Sequence, residues 1–148
     1  MRNAFDLREL ILAKHAQHVV LVHFPIALFM TGVAFDLVAL GKRSAQLARA
    51  AYLNVSLAAA LMVPTFLTGL LAWHFALEGK RIKGLLLFHL LAASGAALLV
   101  LVSWWLHRPG RGTEPVLPPR YRVPIELLGV VLVAATAHLG GFLSGVNT

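Results

Sequence analysis

Residues 85–106 read LLLFHLLAASGAALLVLVSWWL and contain one histidine but no Asp, Glu, Lys or Arg. As a helix this stretch would rise about 33 Å, enough to cross a hydrocarbon core about 30 Å thick. Three further stretches have the same character, at 19–40, 50–77 and 127–146. Lipid offers the backbone no hydrogen-bond partner, and none of these stretches alternates polar and apolar residues. Each is therefore predicted to be a transmembrane helix.

The composition supports a membrane protein. The 148-residue chain is 59% hydrophobic and 13% charged, whereas a soluble domain carries about 25% charged residues. It has no cysteine, which excludes disulfides, thiolate metal sites and thiol nucleophiles. The net charge of +7 is expected to face anionic headgroups of the lipid bilayer. No basic groove with interleaved aromatic residues is visible, so no nucleic-acid partner is predicted.

The links between these stretches are short or rich in Gly, Pro and basic residues, so consecutive helices should be antiparallel. The predicted fold is all-α, an up-down four-helix transmembrane bundle that forms one domain over residues 1–148. Residues 2–14 are predicted to form a short interfacial helix. The chain termini and the turn at 78–84 then lie on one side, called side A, and the other two loops lie on side B. Basic residues are nearly equal in number on the two sides, so orientation is not assigned.

The histidines gather at one depth. Each helix brings one histidine into the side-A half, roughly 4–12 Å from the helix end: His23, His74, His89 and His138. His18 precedes the first helix on the same side, whereas His107 lies at side B and is interpreted as an interfacial residue. Ionisable residues inside transmembrane helices are costly and usually mark function.

We interpret this group as a cofactor site. Two neutral imidazoles on facing helices are typical axial ligands of haem iron. The first and third helices lie on one diagonal of the bundle, which favours His23 and His89 as the axial pair. His138 is either an alternative ligand or a donor to a propionate, and His74 suits a propionate or headgroup contact. One non-covalent haem b is predicted, because the chain lacks a Cys-x-x-Cys-His motif.

Two other interpretations remain open. A bare Cu, Fe or Zn ion would accept the imidazoles of His23, His89 and His138. Alternatively, the histidines only join helices through hydrogen bonds to neighbours such as Thr68 and Thr136.

Of the acidic residues of the spans and loops, only Glu78 lies near the histidines, and it is expected in a loop, which disfavours a hydrolytic metal centre. Three others lie towards side B, away from the histidines. They are Asp36, Glu114 and Glu126. Asp36 is expected to pair with Lys42 or Arg43, or to take part in a proton path.

Three motifs carry a resemblance to a known family. They are HVVLVHFPIAL at 18–28, a histidine near the start of the third helix at His89, and His-Leu-Gly-Gly at 138–141. The sequence resembles the bacterial family catalogued as domain of unknown function 2231, which consists of four-helix membrane proteins. Val19 stands where that family usually has proline, and His74 lies outside its pattern. The resemblance implies the same fold and, because the family has been suspected of binding haem, the same histidines as ligands.

The predicted function is that of a b-type cytochrome-like electron-transfer protein in a bacterial inner membrane. Bis-imidazole ligation leaves no open iron position, which suits electron transfer better than catalysis. Redox proteins or a quinone are the expected partners. A chain this small is expected to act in a larger respiratory or photosynthetic complex, or as a homodimer.

Overall fold

The computed structural model describes residues 14–76, 78–79, 81–107 and 119–145. Four α-helices account for most of them: α1 (Lys14–Lys42), α2 (Ala45–Ala76), α3 (Leu85–His107) and α4 (Arg122–Leu143). All four are long and apolar enough to cross a membrane, and the described ranges contain no strand. The predicted all-α transmembrane fold is confirmed. The interfacial helix predicted at 2–14 lies outside the described residues, except for Lys14, where α1 begins.

Three helices begin earlier than their apolar stretches suggest, and the first of them is α1, which begins at Lys14 rather than at 19. Helix α2 begins at Ala45 rather than at 50, because Ser44 caps it: its Oγ accepts the Leu47 N–H at 3.4 Å. Helix α4 begins at Arg122 rather than at 127, and its first turns contain charged side chains that are buried. Hydropathy misses such turns because it counts a charged residue as polar whether or not a partner compensates it. The earlier start of α4 brings Arg122 and Glu126 into the bundle.

Tight turns make the consecutive helices antiparallel. Arg43, which has a positive φ of 51°, directly follows the last residue of α1, and α2 begins two residues later. Helix α2 ends in a turn in which the Gly79 N–H donates to the Trp73 carbonyl at 3.2 Å. Gly79 has a φ of 60° there, a conformation that glycine adopts without steric cost.

The bundle consists of two hairpins. Helix α1 packs along α2, and α3 packs along α4; smaller contacts between α2 and α3 and between α1 and α4 close the ring. Helices α1 and α3 are therefore diagonal, as predicted. In the core, the fully buried ring of Phe29 on α1 reaches α4 at Gly129. A Cβ atom at Gly129 would lie 2.8 Å from Phe29 Cζ, so only glycine admits the ring.

The outer surface is apolar on every helix. More than half of the surface of each of these large side chains is exposed: Phe24, Leu53, Phe88, Leu98 and Val131. Such a surface suits lipid, where exposure of apolar side chains carries no cost. Polar side chains with functional potential lie at the two ends of the bundle.

Candidate functional site

At side B, His107 is the last residue of α3, and only 4% of its surface is exposed. Its Nδ1–H donates to the carbonyl oxygen of Ser103, one turn earlier, at 2.6 Å. Its Nε2 lies 2.8 Å from Oδ2 of Asp36 on α1. The ring of Tyr52 on α2 stacks on the imidazole at 6.4 Å between centroids. His107 thus contacts residues from two other helices.

Helix α4 adds two charged residues to this place. Arg122 Nη2 donates to the same Asp36 Oδ2 at 3.2 Å. Glu126 Oε1 lies 3.9 Å from Arg122 Nε and 3.8 Å from His107 Nε2. We call Asp36, Ser103, His107, Arg122 and Glu126 the side-B cluster. All five residues are buried, and they join α1, α3 and α4.

The side-B cluster has more hydrogen-bonding atoms than partners. Five buried atoms of the cluster have no hydrogen-bond partner among the described residues: Asp36 Oδ1, Ser103 Oγ, Arg122 Nε, Glu126 Oε1 and Glu126 Oε2. Leaving one such atom unpaired costs about 1–3 kcal/mol. Asp36, His107 and Glu126 also each offer one ligand atom within 4.8 Å of the other two. This end of the bundle has the composition of a cation site.

Two interpretations of side B are therefore wrong. His107 is not an interfacial residue, because α4 and α1 cover it. Asp36 does not pair with Lys42 or Arg43, whose side chains are exposed; it pairs with Arg122 and His107. The sequence contained a signal, since ionisable residues stand near the side-B ends of three helices. Comparing depths along the helices, which groups the side-A histidines, also groups these side-B residues.

At side A the histidines are less buried. His18 and His89 are half-buried, whereas His23, His74 and His138 are exposed. The His74 ring packs edge-on against Phe75, and the His138 ring packs edge-on against Phe142. These three imidazoles are therefore accessible from outside the packed core of the bundle.

His18 and His89 each lie inside one hairpin. His18 Nδ1 is 3.2 Å from Thr68 Oγ1, and its ring covers Gly69, where a Cβ atom would lie 3.0 Å from Cε1. His89 Nδ1–H donates to the Thr136 carbonyl at 3.2 Å, and a Cβ at Gly140 would lie 3.2 Å from its Cε1. Gly69 and Gly140 thus make room for imidazole rings.

His23 resembles His89 in its proton position. Its Nδ1 lies 2.6 Å from the Val19 carbonyl, and a carbonyl oxygen only accepts, so the proton is on Nδ1. The Nε2 of a neutral ring then carries the lone pair. Among the described residues, no three side-A histidines bring ring nitrogens within 4.8 Å of one another. His23, His89 and His138 thus do not form a three-nitrogen group of this kind in this conformation.

Comparison with known proteins gives one result. A family model described as "Predicted membrane protein (DUF2231)" matches residues 14–146. Searches of curated proteins and of solved structures find no match.

Proposed function

This chain belongs to the DUF2231 family of predicted membrane proteins, and we propose that it is a membrane-embedded, b-type cytochrome-like electron-transfer protein. The proposed ligands are His23 and His89, on the diagonal helices α1 and α3. His18, His74 and His138 are proposed as further contacts of the haem.

The proton positions of His23 and His89 carry this proposal. Each ring donates its Nδ1–H to a main-chain carbonyl, at 2.6 Å for Val19 and 3.2 Å for Thr136. Metal-binding histidines are held in this way, because the hydrogen bond fixes the tautomer and makes the other nitrogen a better donor. Each ring therefore presents a free lone pair on Nε2.

The set of donors at side A also fits haem. The acidic residue described at this end is Glu78, which is exposed in the turn after α2. Imidazole without carboxylate suits haem iron or a softer metal ion better than a hard cation. The contact between the two hairpins is smaller than the contact within each, so their seam is the place where a flat ring could separate them at least cost.

A bound haem would supply reversible uptake and release of one electron. The protein's part is to hold the imidazoles in the ligating tautomer and to keep water from the site with an apolar surface. Redox proteins or a quinone are the proposed partners. A larger membrane complex or a homodimer in a bacterial inner membrane is the proposed setting.

The alternatives have support of their own. Hydrogen bonds from His18 to Thr68 and from His89 to Thr136 are those expected if the histidines only join helices. A copper, iron or zinc ion is the remaining alternative, since imidazole nitrogen binds each of these metals.

A reduced-minus-oxidised absorption spectrum of the detergent-purified protein, with a pyridine haemochrome assay, tests the proposal. We expect about one haem b per chain with sharp Soret and α bands. His23→Ala and His89→Ala should each abolish binding, whereas the control His107→Ala should not. Circular dichroism and gel filtration establish that each variant is folded.

Other results discriminate between the alternatives. Haem retained in both His23→Ala and His89→Ala would overturn the axial assignment. A colourless protein from haem-replete cells that contains a metal ion would favour the bare-ion alternative. A colourless and metal-free protein would favour the cofactor-free one.

A further inference from the structure

We infer that the side-B cluster binds a divalent first-row metal ion such as Zn²⁺, Fe²⁺ or Mn²⁺, with Asp36, His107 and Glu126 as ligands. This site lies at the opposite end of the bundle from the side-A histidines. It is independent of the proposed haem, and either could exist without the other.

The spacing of the ligand atoms suits one ion. His107 Nε2 lies 2.8 Å from Asp36 Oδ2 and 3.8 Å from Glu126 Oε1. Metal bonds of about 2.0–2.2 Å separate neighbouring ligand atoms by about 3.0–3.6 Å. The observed distances lie on either side of that range. The ligand atoms of Asp36 and Glu126 lie within 4.8 Å of each other, so side-chain adjustments of about 1 Å or less would place all three atoms around one centre.

The orientation of His107 requires a cation. Its Nδ1–H donates to the Ser103 carbonyl, so the Nε2 of the neutral ring is an acceptor that faces the carboxylate oxygen of Asp36. Two acceptors 2.8 Å apart repel each other unless a proton or a metal ion lies between or beside them. The same hydrogen bond to a main-chain carbonyl is the usual support of a metal-binding histidine.

The unpaired oxygens favour a metal ion over a single proton. Asp36 Oδ1 and both carboxylate oxygens of Glu126 are buried without a hydrogen-bond partner in the described part of the chain. One proton would serve at most two of these acceptors, the one that holds it and the one that it faces, whereas a metal ion binds several at once. Both residues are about 1% exposed, so bulk water does not reach them.

The charge of the cluster is compatible with this ion. Metal ligation requires both carboxylates ionised and His107 neutral; in that state two carboxylates and one guanidinium sum to −1, and a divalent ion changes the sum to +1. The magnitude of the buried net charge is unchanged, while the unpaired oxygens gain a cation to bind. Arg122 has a supporting role, because it donates to Asp36 Oδ2 and so orients a ligating carboxylate.

The mixture of donors decides the class of ion. Ca²⁺ and Mg²⁺ prefer oxygen ligands throughout, whereas one imidazole with two carboxylates suits Zn²⁺, Fe²⁺ or Mn²⁺. Thiolate-selecting ions are disfavoured, since the chain has no cysteine.

The test is metal binding to the full chain, purified in detergent without a histidine tag and stripped with a chelator. Titration calorimetry and elemental analysis with Zn²⁺, Mn²⁺ and anaerobic Fe²⁺ should give one ion per chain for at least one metal, and none with Ca²⁺. Asp36→Asn and Glu126→Gln should each weaken binding by more than about 100-fold, and Arg122→Gln by about 10–100-fold.

Two matched controls locate the site. Glu78→Gln removes an exposed carboxylate at the other end of the bundle and should leave the affinity unchanged. His89→Ala should also leave it unchanged while removing haem, so failure of the haem proposal and failure of this one are distinguishable. Equal affinity in Glu126→Gln and wild type would overturn the assignment of ligands.

The wild-type protein provides a test that does not depend on the folding of any variant. The bound ion should raise the thermal unfolding midpoint in proportion to the logarithm of its free concentration above Kd. If the wild type takes up none of the three metals, the side-B cluster is a buried ion-pair network and the metal site does not exist.

Discussion

The two ends of the bundle accommodate ionisable side chains in different ways. Side A contains imidazoles, which can be neutral, and three of its five histidines with described side chains are exposed. Side B contains two carboxylates and a guanidinium, and all of them are buried against one another. A neutral ring near the interface is tolerated against lipid, but a charged group must find partners or water.

This difference predicts where substitutions lower the stability of the protein. At side A, each described hydrogen bond joins neighbours on one helix or within one hairpin. At side B, Asp36 on α1 is bonded to residues of α3 and α4, so the cluster fastens one hairpin to the other. Substitutions at side B should therefore cost stability, whereas substitutions at side A should chiefly cost ligand binding.

The largest loss is expected from Asp36→Ala. It leaves Arg122 and His107 buried without their shared acceptor, which should lower the free energy of unfolding by about 3–5 kcal/mol. Asp36→Asn keeps the shape and an acceptor oxygen and should lose less. Chemical denaturation in detergent micelles measures both. An Asp36→Ala variant as stable as wild type would remove the distinction between the two ends.

A smaller loss is expected from Gly129→Ala, in the middle of the bundle. The new methyl group would lie 2.8 Å from the buried Phe29 ring, and such overpacking costs about 1–3 kcal/mol. Gly140→Ala is the side-A counterpart, where the methyl group would lie 3.2 Å from a half-buried His89 ring that can shift. It should cost less stability than Gly129→Ala. The same denaturation measurement ranks the two, and the reverse order would contradict this account.

Thr68→Val should have a modest effect. It removes the hydroxyl that contacts His18 Nδ1 at 3.2 Å, and loss of one hydrogen bond of this kind costs about 0.5–1.5 kcal/mol. A double-mutant cycle with His18→Ala isolates the pair from other contacts of His18. Strict additivity in that cycle would show that the contact contributes nothing.

The smallest effect is expected from His74→Ala. The ring is exposed and packs on Phe75, its neighbour in sequence, so its removal should change the free energy of unfolding by less than about 0.5 kcal/mol. Thermal unfolding followed by circular dichroism suffices to measure it. A loss as large as that of Asp36→Ala would show that side A also contributes strongly to the free energy of unfolding.

Part of the candidate site was predictable from the sequence. The depth of each histidine along its helix follows from counting residues. The burial of His107 was not predictable in this way. A histidine at a helix end faces headgroups in one rotation of the helix and the bundle interior in another, and residue counting does not give the rotation.

Hydropathy and the lengths of the links are enough to predict the four membrane-spanning helices of the described residues and their antiparallel order. These depend on apolar surface summed along each stretch and on short links, which are local properties. Which polar groups meet depends instead on how the helices pack. Asp36 reaches His107 across 71 positions and Arg122 across 86. That meeting depends on the rotation of three helices, which contacts such as Phe29 against Gly129 help to set.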